Sequence, residues 1–340
     1  MVRATLGPVR AAITGATGLL GSNLAAALLE DGHQVVATRR GTATARHLAA
    51  LPIEWRAADL GDPDALARAF EGAEVVFHCA ATVEIAPRVT PLLHQGNVVG
   101  TDHVLEAVRR AGARRMVHCS SVVAAAVSEG DRDVTEEDAW NFPEHGLDDG
   151  YAITKRQSEE RVLAAARDGL DAVVVQPCYM LGPYDARPSS GQLVVELAHR
   201  RIPLATPGSQ NIVDVRDVAR GMILAAERGR RAERYILGGE NLSYAEVFRT
   251  IAGELGVPPP ARTAPEGLVL AFGAAVELGA WLVRRPAILS RSTVRYAYCT
   301  GYRFSSGKAE RELGYVHRPA IEAIRASIAW LRAQGMLPVR

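Results

Sequence analysis

The chain has 340 residues, 48% of them apolar and 23% charged, enough for one large domain or two modest ones around a sizeable core. Its 39 basic residues against 38 acidic leave a formal net charge of +1, which argues against a dedicated nucleic-acid binder; the composition excludes collagen-like, disordered and disulfide-scaffold chains. Only two of the basic residues are lysines, Lys155 and Lys308.

In chain order, a β-branched run over 9–14 reads as a strand and 18–30 as a helix. Strands follow over 34–38, 53–58, 75–79, 115–120 and 171–176, with long helical patterns over about 91–111 and 151–167. Alternation of this kind implies parallel strands joined by crossover helices. Residues 211–227 and 234–237 read as a helix and a strand returning to the sheet. Ser243 and Glu246 have the spacing of a capping box opening a helix over 243–255. The remainder reads as mostly helical. The fold expected is α/β: a doubly wound parallel sheet of the Rossmann type, over 8–178 plus about 212–240. A smaller, mainly helical substrate domain takes about 179–211 plus 241–340.

Cys79, Cys119, Cys178 and Cys299 form no C-x-x-C pair, so neither a zinc site nor a disulfide framework is expected. The first three read as small buried hydrophobes. Residues 1–10 carry no apolar leader segment, and the most membrane-like stretch, 268–283, is interrupted by Glu277 and short of the roughly 20 residues a span needs. A cytoplasmic protein without stable membrane insertion is expected.

The first strand runs straight into Thr14-Gly15-Ala16-Thr17-Gly18-Leu19-Leu20-Gly21. Gly15 permits a tight turn, Gly18 lets backbone approach a pyrophosphate, and Gly21 allows close helix–strand packing. The helix start offers free N–H groups to phosphate. A glycine triplet alone is weak evidence, but strand before and helix after supply its context. An NAD site usually carries an acid at the end of the second strand; here Arg39-Arg40 follow, suited to a 2′-phosphate. NADP(H) is therefore the cofactor expected, with NAD(H) as the alternative.

Tyr151 and Lys155 stand at i and i+4 on one helix face, and the fifth strand ends in Ser120-Ser121. A phenol titrates near ~10. A cation within about 4–6 Å lowers that value toward general acid–base use. Lys suits the task better than the planar Arg. Ser121 is placed to hold a carbonyl or alcohol oxygen.

With these motifs, and with FHCAA at 77–81, NVVGT at 97–101, HCSS at 118–121 and VDVRDVA at 213–219, the chain resembles the extended short-chain dehydrogenase/reductases over nearly its whole length. The resemblance implies that Asp59 and Leu60 lie by the adenine, that Ala80 and Ala81 line the cofactor and that Asn97 is near the active site. It also implies that Tyr151 is the acid/base and that Lys155 also holds the nicotinamide ribose. Ser120 and Pro177 complete the expected cofactor contacts. A homodimer through the helices at 91–111 and 151–167 is implied as well.

Within that family, 4,6-dehydratases carry Asp-Glu after the strand-end Ser/Thr, where this chain has Val122-Val123. Sugar epimerases tend to have Asn where Tyr179 stands, and an Arg where Ser209-Gln210-Asn211 stands. The run 176–183 is similar to dihydroflavonol reductase-like and 3β-hydroxysteroid dehydrogenase-like members. The expected activity is an NADP(H)-dependent ketoreductase acting on a moderately apolar small carbonyl or alcohol, with Tyr179, Met180 and Tyr184 as pocket walls. A nucleotide-sugar epimerase is the alternative, since the chain also resembles a group of hopanoid-associated sugar epimerases. A non-catalytic NADP-binding protein would lack the Tyr–Lys pair. The apolar runs 268–272 and 281–283 read mainly as core helix, with a pocket lid as the second reading.

Overall fold

The computed structural model describes residues 7–41, 45–282 and 291–338. Val283, and the side chains of Trp281 and Leu282, lie outside what is described.

The first half alternates as expected: β1 (Arg10–Thr14), α1 (Leu19–Glu30), β2 (Gln34–Arg39), β3 (Glu54–Ala57), α2 (Pro63–Phe70) and β4 (Val75–His78). Then α3 (Pro91–Leu93) passes through a π-helical turn, His94–Val99, into α4 (Gly100–Ala111), followed by β5 (Arg115–Cys119), α5 (Gly150–Arg167) and β6 (Ala172–Pro177). The second half holds β7 (Tyr179–Leu181), α6 (Gln192–Ala198), β8 (Ser209–Asp214), α7 (Val215–Arg228), β9 (Arg234–Leu237) and β10 (Glu240–Ser243). It closes with α8 (Tyr244–Leu255), α9 (Glu266–Leu282), α10 (Arg291–Tyr298), α11 (Gly307–Leu313) and α12 (Ala320–Ala333).

Seven strands form one parallel sheet in the order β3-β2-β1-β4-β5-β6-β9. Its central strands are buried on both faces, which explains their near-continuous apolar sequence. Alternation assigns the faces. Phe77, Val117 and Val175 pack with Leu24 and Leu28 of α1 and Met222 of α7. Val76, Met116 and Val174 pack with Leu66 and Phe70 of α2, Val104 and Val108 of α4 and Val162 of α5. Neighbouring β1 and β4 carry their crossovers to opposite faces, so a crevice opens at their C-terminal ends.

The returning segment differs from its reading in one respect. Residues 209–214 are a strand, and the helix begins only at Val215, where the Asp214 side chain caps the N–H of Arg216 at 2.8 Å. β8 then pairs with β7 and β10 in a second, three-stranded sheet, so the C-terminal region is less helical than expected. A third apolar cluster, with Leu181, Ile212, Phe248, Ile251, Ile324 and Leu331, fills that region. The capping box forms: Ser243 Oγ accepts from the Glu246 N–H, and the Glu246 carboxylate accepts from the Ser243 N–H. Among the described residues no helix is long and apolar enough to cross a membrane.

Candidate active site

The three loop glycines do different work. Gly15 sits at φ +75°, and a Cβ there would lie 2.6 Å from the Ala80 N. At Gly21 a Cβ would overlap the Gly15 carbonyl. A Cβ at Gly18 would meet only the Gly15 carbonyl oxygen, at 3.4 Å, so the outer side of the turn is open. Gly18 caps α1 without a side-chain bond, leaving the first-turn N–H groups of Leu19, Leu20 and Gly21 available to an anion. Thr17 is exposed at the tip, and Ser22 Oγ donates to the Ala16 carbonyl at 2.9 Å to brace the loop.

At the end of β2 the Arg39 guanidinium lies over the Trp55 ring, 5.9 Å from its centroid. Among the described residues neither Arg39 nor Arg40 joins a carboxylate, although many arginines of this chain do. Asp59 accepts from the Gly61 N–H at 2.8 Å, and the Leu60 carbonyl accepts from His103 Nδ1 at 2.7 Å, so this turn is held to the N-terminal part of α4.

The ends of β4 and β5 meet the start of α5. The Ala80 N–H points to Thr14 Oγ1, and Ala81 is exposed beside it. Asn97, in the π-helical turn, accepts from the Thr82 N–H at 2.7 Å and donates to the Thr82 carbonyl and to Thr154 Oγ1, tying that loop to α5. The structure brings Ser121 and Tyr151 together: Ser121, at the end of β5, sits close enough to the Tyr151 phenol to act on its pKa. Lys155, one turn deeper, donates to the Cys119 carbonyl at 2.7 Å. Ser120 donates instead to the Glu159 carboxylate of α5 at 2.6 Å, and Pro177 ends β6.

Burial dominates the electrostatics. It pushes Tyr151 above, not below, its ordinary value, with the nearby Ser121 hydroxyl opposing. The phenol is therefore protonated at neutral pH, the form that can give up a proton. Burial lowers Lys155, opposed by Cys119, Glu159 and Cys79. His78 falls to about 3, through burial and then the Lys155 charge, and His118 falls for the same reasons. Cys79 and Cys119 are only partly buried, beside the Lys155 ammonium at the strand ends rather than in a plain core.

The expected pocket walls separate. Met180 packs on the same cluster as Tyr151. Tyr179 packs into the C-terminal cluster and donates its hydroxyl to the Ser190 carbonyl at 2.9 Å. Tyr184, at φ +67°, lies against Trp330 and His47, with ring centroids 4.9 and 6.2 Å away. Two contributors went unread in the sequence. Tyr296 of α10 donates to the Leu147 carbonyl at 3.1 Å and lies near Asp149, which caps α5. Glu159 lies one turn beyond Lys155; the repeat Tyr151, Lys155, Glu159 at i, i+4, i+8 was the available signal.

Residues 11–238 match the family model described as the NAD dependent epimerase/dehydratase family. The chain is 34% identical to a putative dihydroflavonol 4-reductase of Synechocystis over 95% of its own length and 94% of that protein. It is 31% identical to a 4-hydroxy-2-methyl-3-oxo-4-farnesyl-3,4-dihydroquinoline-1-oxide ketoreductase of Stigmatella aurantiaca, over 98% of this chain and all of that one. The crystal structure of gox2253 superposes with a TM-score of 0.84 at 34% identity, covering 96% of this chain and 99% of that one. A parallel sheet with an open glycine turn at β1, and matches of this extent, lead to one conclusion: the chain belongs to the NAD dependent epimerase/dehydratase family, enzymes that use a nicotinamide cofactor.

Proposed function

We propose that the protein is an NADP(H)-dependent ketoreductase that reduces a ketone or aldehyde of a moderately apolar small molecule, or oxidises the alcohol. The observation that carries this reading is the convergence of Ser121, Tyr151 and Lys155 at the end of β5: Ser121 acts on a protonated phenol, and the buried Lys155 ammonium donates to the neighbouring Cys119 carbonyl at 2.7 Å.

The open turn at Gly18 and the uncapped start of α1 fit a pyrophosphate. Arg39 and Arg40, free of carboxylate partners among the described residues, fit a 2′-phosphate. Asp59, Leu60, Ala80, Ala81, Asn97, Ser120 and Pro177 complete the proposed cofactor set. When bound, NADPH supplies the hydride chemistry. Ser121 holds the substrate oxygen, Tyr151 gives its proton to that oxygen as the carbonyl becomes an alcohol, and Lys155 compensates the charge left on the phenol. In this reading the sheet domain, 8–178 plus about 212–240, holds the cofactor, and the remainder selects the substrate. The cytoplasmic location and the homodimer through 91–111 and α5 belong to the same proposal. An apolar substrate is supported by the name of one relative, a ketoreductase of a farnesyl-bearing dihydroquinoline oxide.

The test is NADPH oxidation with a panel of apolar ketones. The expected outcome is one NADPH consumed per alcohol formed. Tyr151→Phe is expected to lower kcat about 10²–10⁴-fold while NADPH still binds. Conversion of a nucleotide sugar without net NADPH loss would establish the epimerase instead, and undiminished turnover by Tyr151→Phe would remove the phenol from the chemistry.

A further inference from the structure

We propose that Glu159 is a positioning residue of the site, a buried carboxylate that holds the Ser120–Ser121 strand end against α5 and keeps the Lys155 ammonium charged. The proposal rests on reading Tyr151, Lys155 and Ser121 as catalytic.

Glu159 is completely buried, yet donors alone surround it. Ser120 Oγ donates to Oε2 at 2.6 Å, and Gln176 Nε2 donates to both oxygens, at 2.9 and 3.2 Å. Arg234 Nη1 lies 3.5 Å from Oε1, and Arg156 Nη1 3.9 Å away. A carboxylate faced only by O–H, amide N–H and guanidinium groups is held in its acceptor form, although burial raises it. The anchor therefore joins α5 to β5, β6 and β9 at one point, directly beside Ser121.

The second half of the argument concerns Lys155. The titratable groups facing it are His78 and Cys79 at the end of β4, His118 and Cys119 from β5, and Tyr151, whose phenol stays protonated, and Glu159 from α5. Burial keeps both histidines and both thiols neutral. Lys155 and Glu159 stand at i and i+4 on α5, and their partners, the Cys119 carbonyl and the Ser120 hydroxyl, are consecutive in the chain, so the Glu159 carboxylate is placed to offset part of the cost of burying the ammonium. Removing that charge must lower the pH at which Lys155 loses its proton.

A chain with two lysines makes the test direct. With ¹³Cε-labelled lysine, two side-chain signals titrate, and Lys308→Arg assigns them. Lys308 bonds Glu233 and the Arg234 carbonyl and serves as internal control. Glu159→Gln is expected to lower the Lys155 midpoint by about one pH unit or more. Glu159→Asp is expected to restore most of the shift, and Ser120→Ala to give a smaller one in the same direction. The limb of the kcat profile that belongs to Lys155 moves with it, with the KM for carbonyl little changed. An unmoved Lys155 midpoint in folded Glu159→Gln overturns the proposal. If that variant does not fold, an unmoved midpoint in Ser120→Ala overturns it. A shifted midpoint in a wild-type background that turns over no carbonyl leaves Glu159 holding Lys155 and removes the ketoreductase reading.

Discussion

At the scale of single residues, the buried histidine pair has a consequence for stability. His78 and His118 are register partners on β4 and β5, their rings 5.3 Å apart, and both are neutral in the folded protein. His78 titrates near 3 when folded, against about 6.5 when unfolded. A folded value that lies lower means the unfolded chain binds more protons, so the contribution is whole above pH ~6.5 and is lost as pH falls toward 3. Urea melts between pH 7 and 5 are expected to show ΔG falling by about 1.4 kcal/mol per pH unit for each histidine below its unfolded value. His78→Gln should remove its share of that slope; an unchanged slope contradicts the assignment. Tyr151, Lys155 and Ser121 are proposed as catalytic; that they come together at one strand end was legible because their residue types stand at a readable spacing. The height of the Tyr151 pKa was not, since it comes from burial, and neither was Glu159, whose donors arrive from three different strands.

At the scale of elements, the cofactor half was legible because every local rule agreed. β-branched runs, glycine spacing and helix starts all pointed to one strand–turn–helix unit, and β1, α1 and β2 lie within a residue of their reading. β7 and β10 were not legible: one has three residues, the other reads Glu-Asn-Leu-Ser without a buried face. The apolar pair Ile212-Val213 fits a helix as well as a strand, and pairing with β7 and β10 decides it. The end of β2 yields a prediction of its own. Replacing Arg39 and Arg40 together by Ser is expected to raise the KM for NADPH about 10²–10⁴-fold, since each charge-assisted phosphate bond contributes roughly 1.5–3 kcal/mol. The KM for NADH should barely move. Equal effects on both cofactors would mean that the pair shapes the loop rather than gripping a phosphate.

At the scale of the whole molecule, the strand order brings four separate sequence segments to one edge. The β1 turn, the end of β2, the end of β4 and the Ser120–Ser121 end of β5 are far apart in the chain and adjacent in the sheet. Parallel strands with right-handed crossovers leave few other arrangements, which is why the site was readable before the substrate region was. That region has its own apolar cluster and its own small sheet, and it presents the exposed Leu268 and Phe272 on α9. Its composition says apolar, while pocket shape depends on packing among α8 to α12 that no local pattern encodes. The central claim, net hydride transfer to a carbonyl with Tyr151 as proton donor, is tested most directly by isotope. NADPH dideuterated at C4 and a ketone are incubated with the protein, and the product is read by mass spectrometry. The account predicts one deuterium on the carbinol carbon for each NADP⁺ formed, and its near-complete loss in Tyr151→Phe. Product free of deuterium, with the NADPH undepleted, would contradict it.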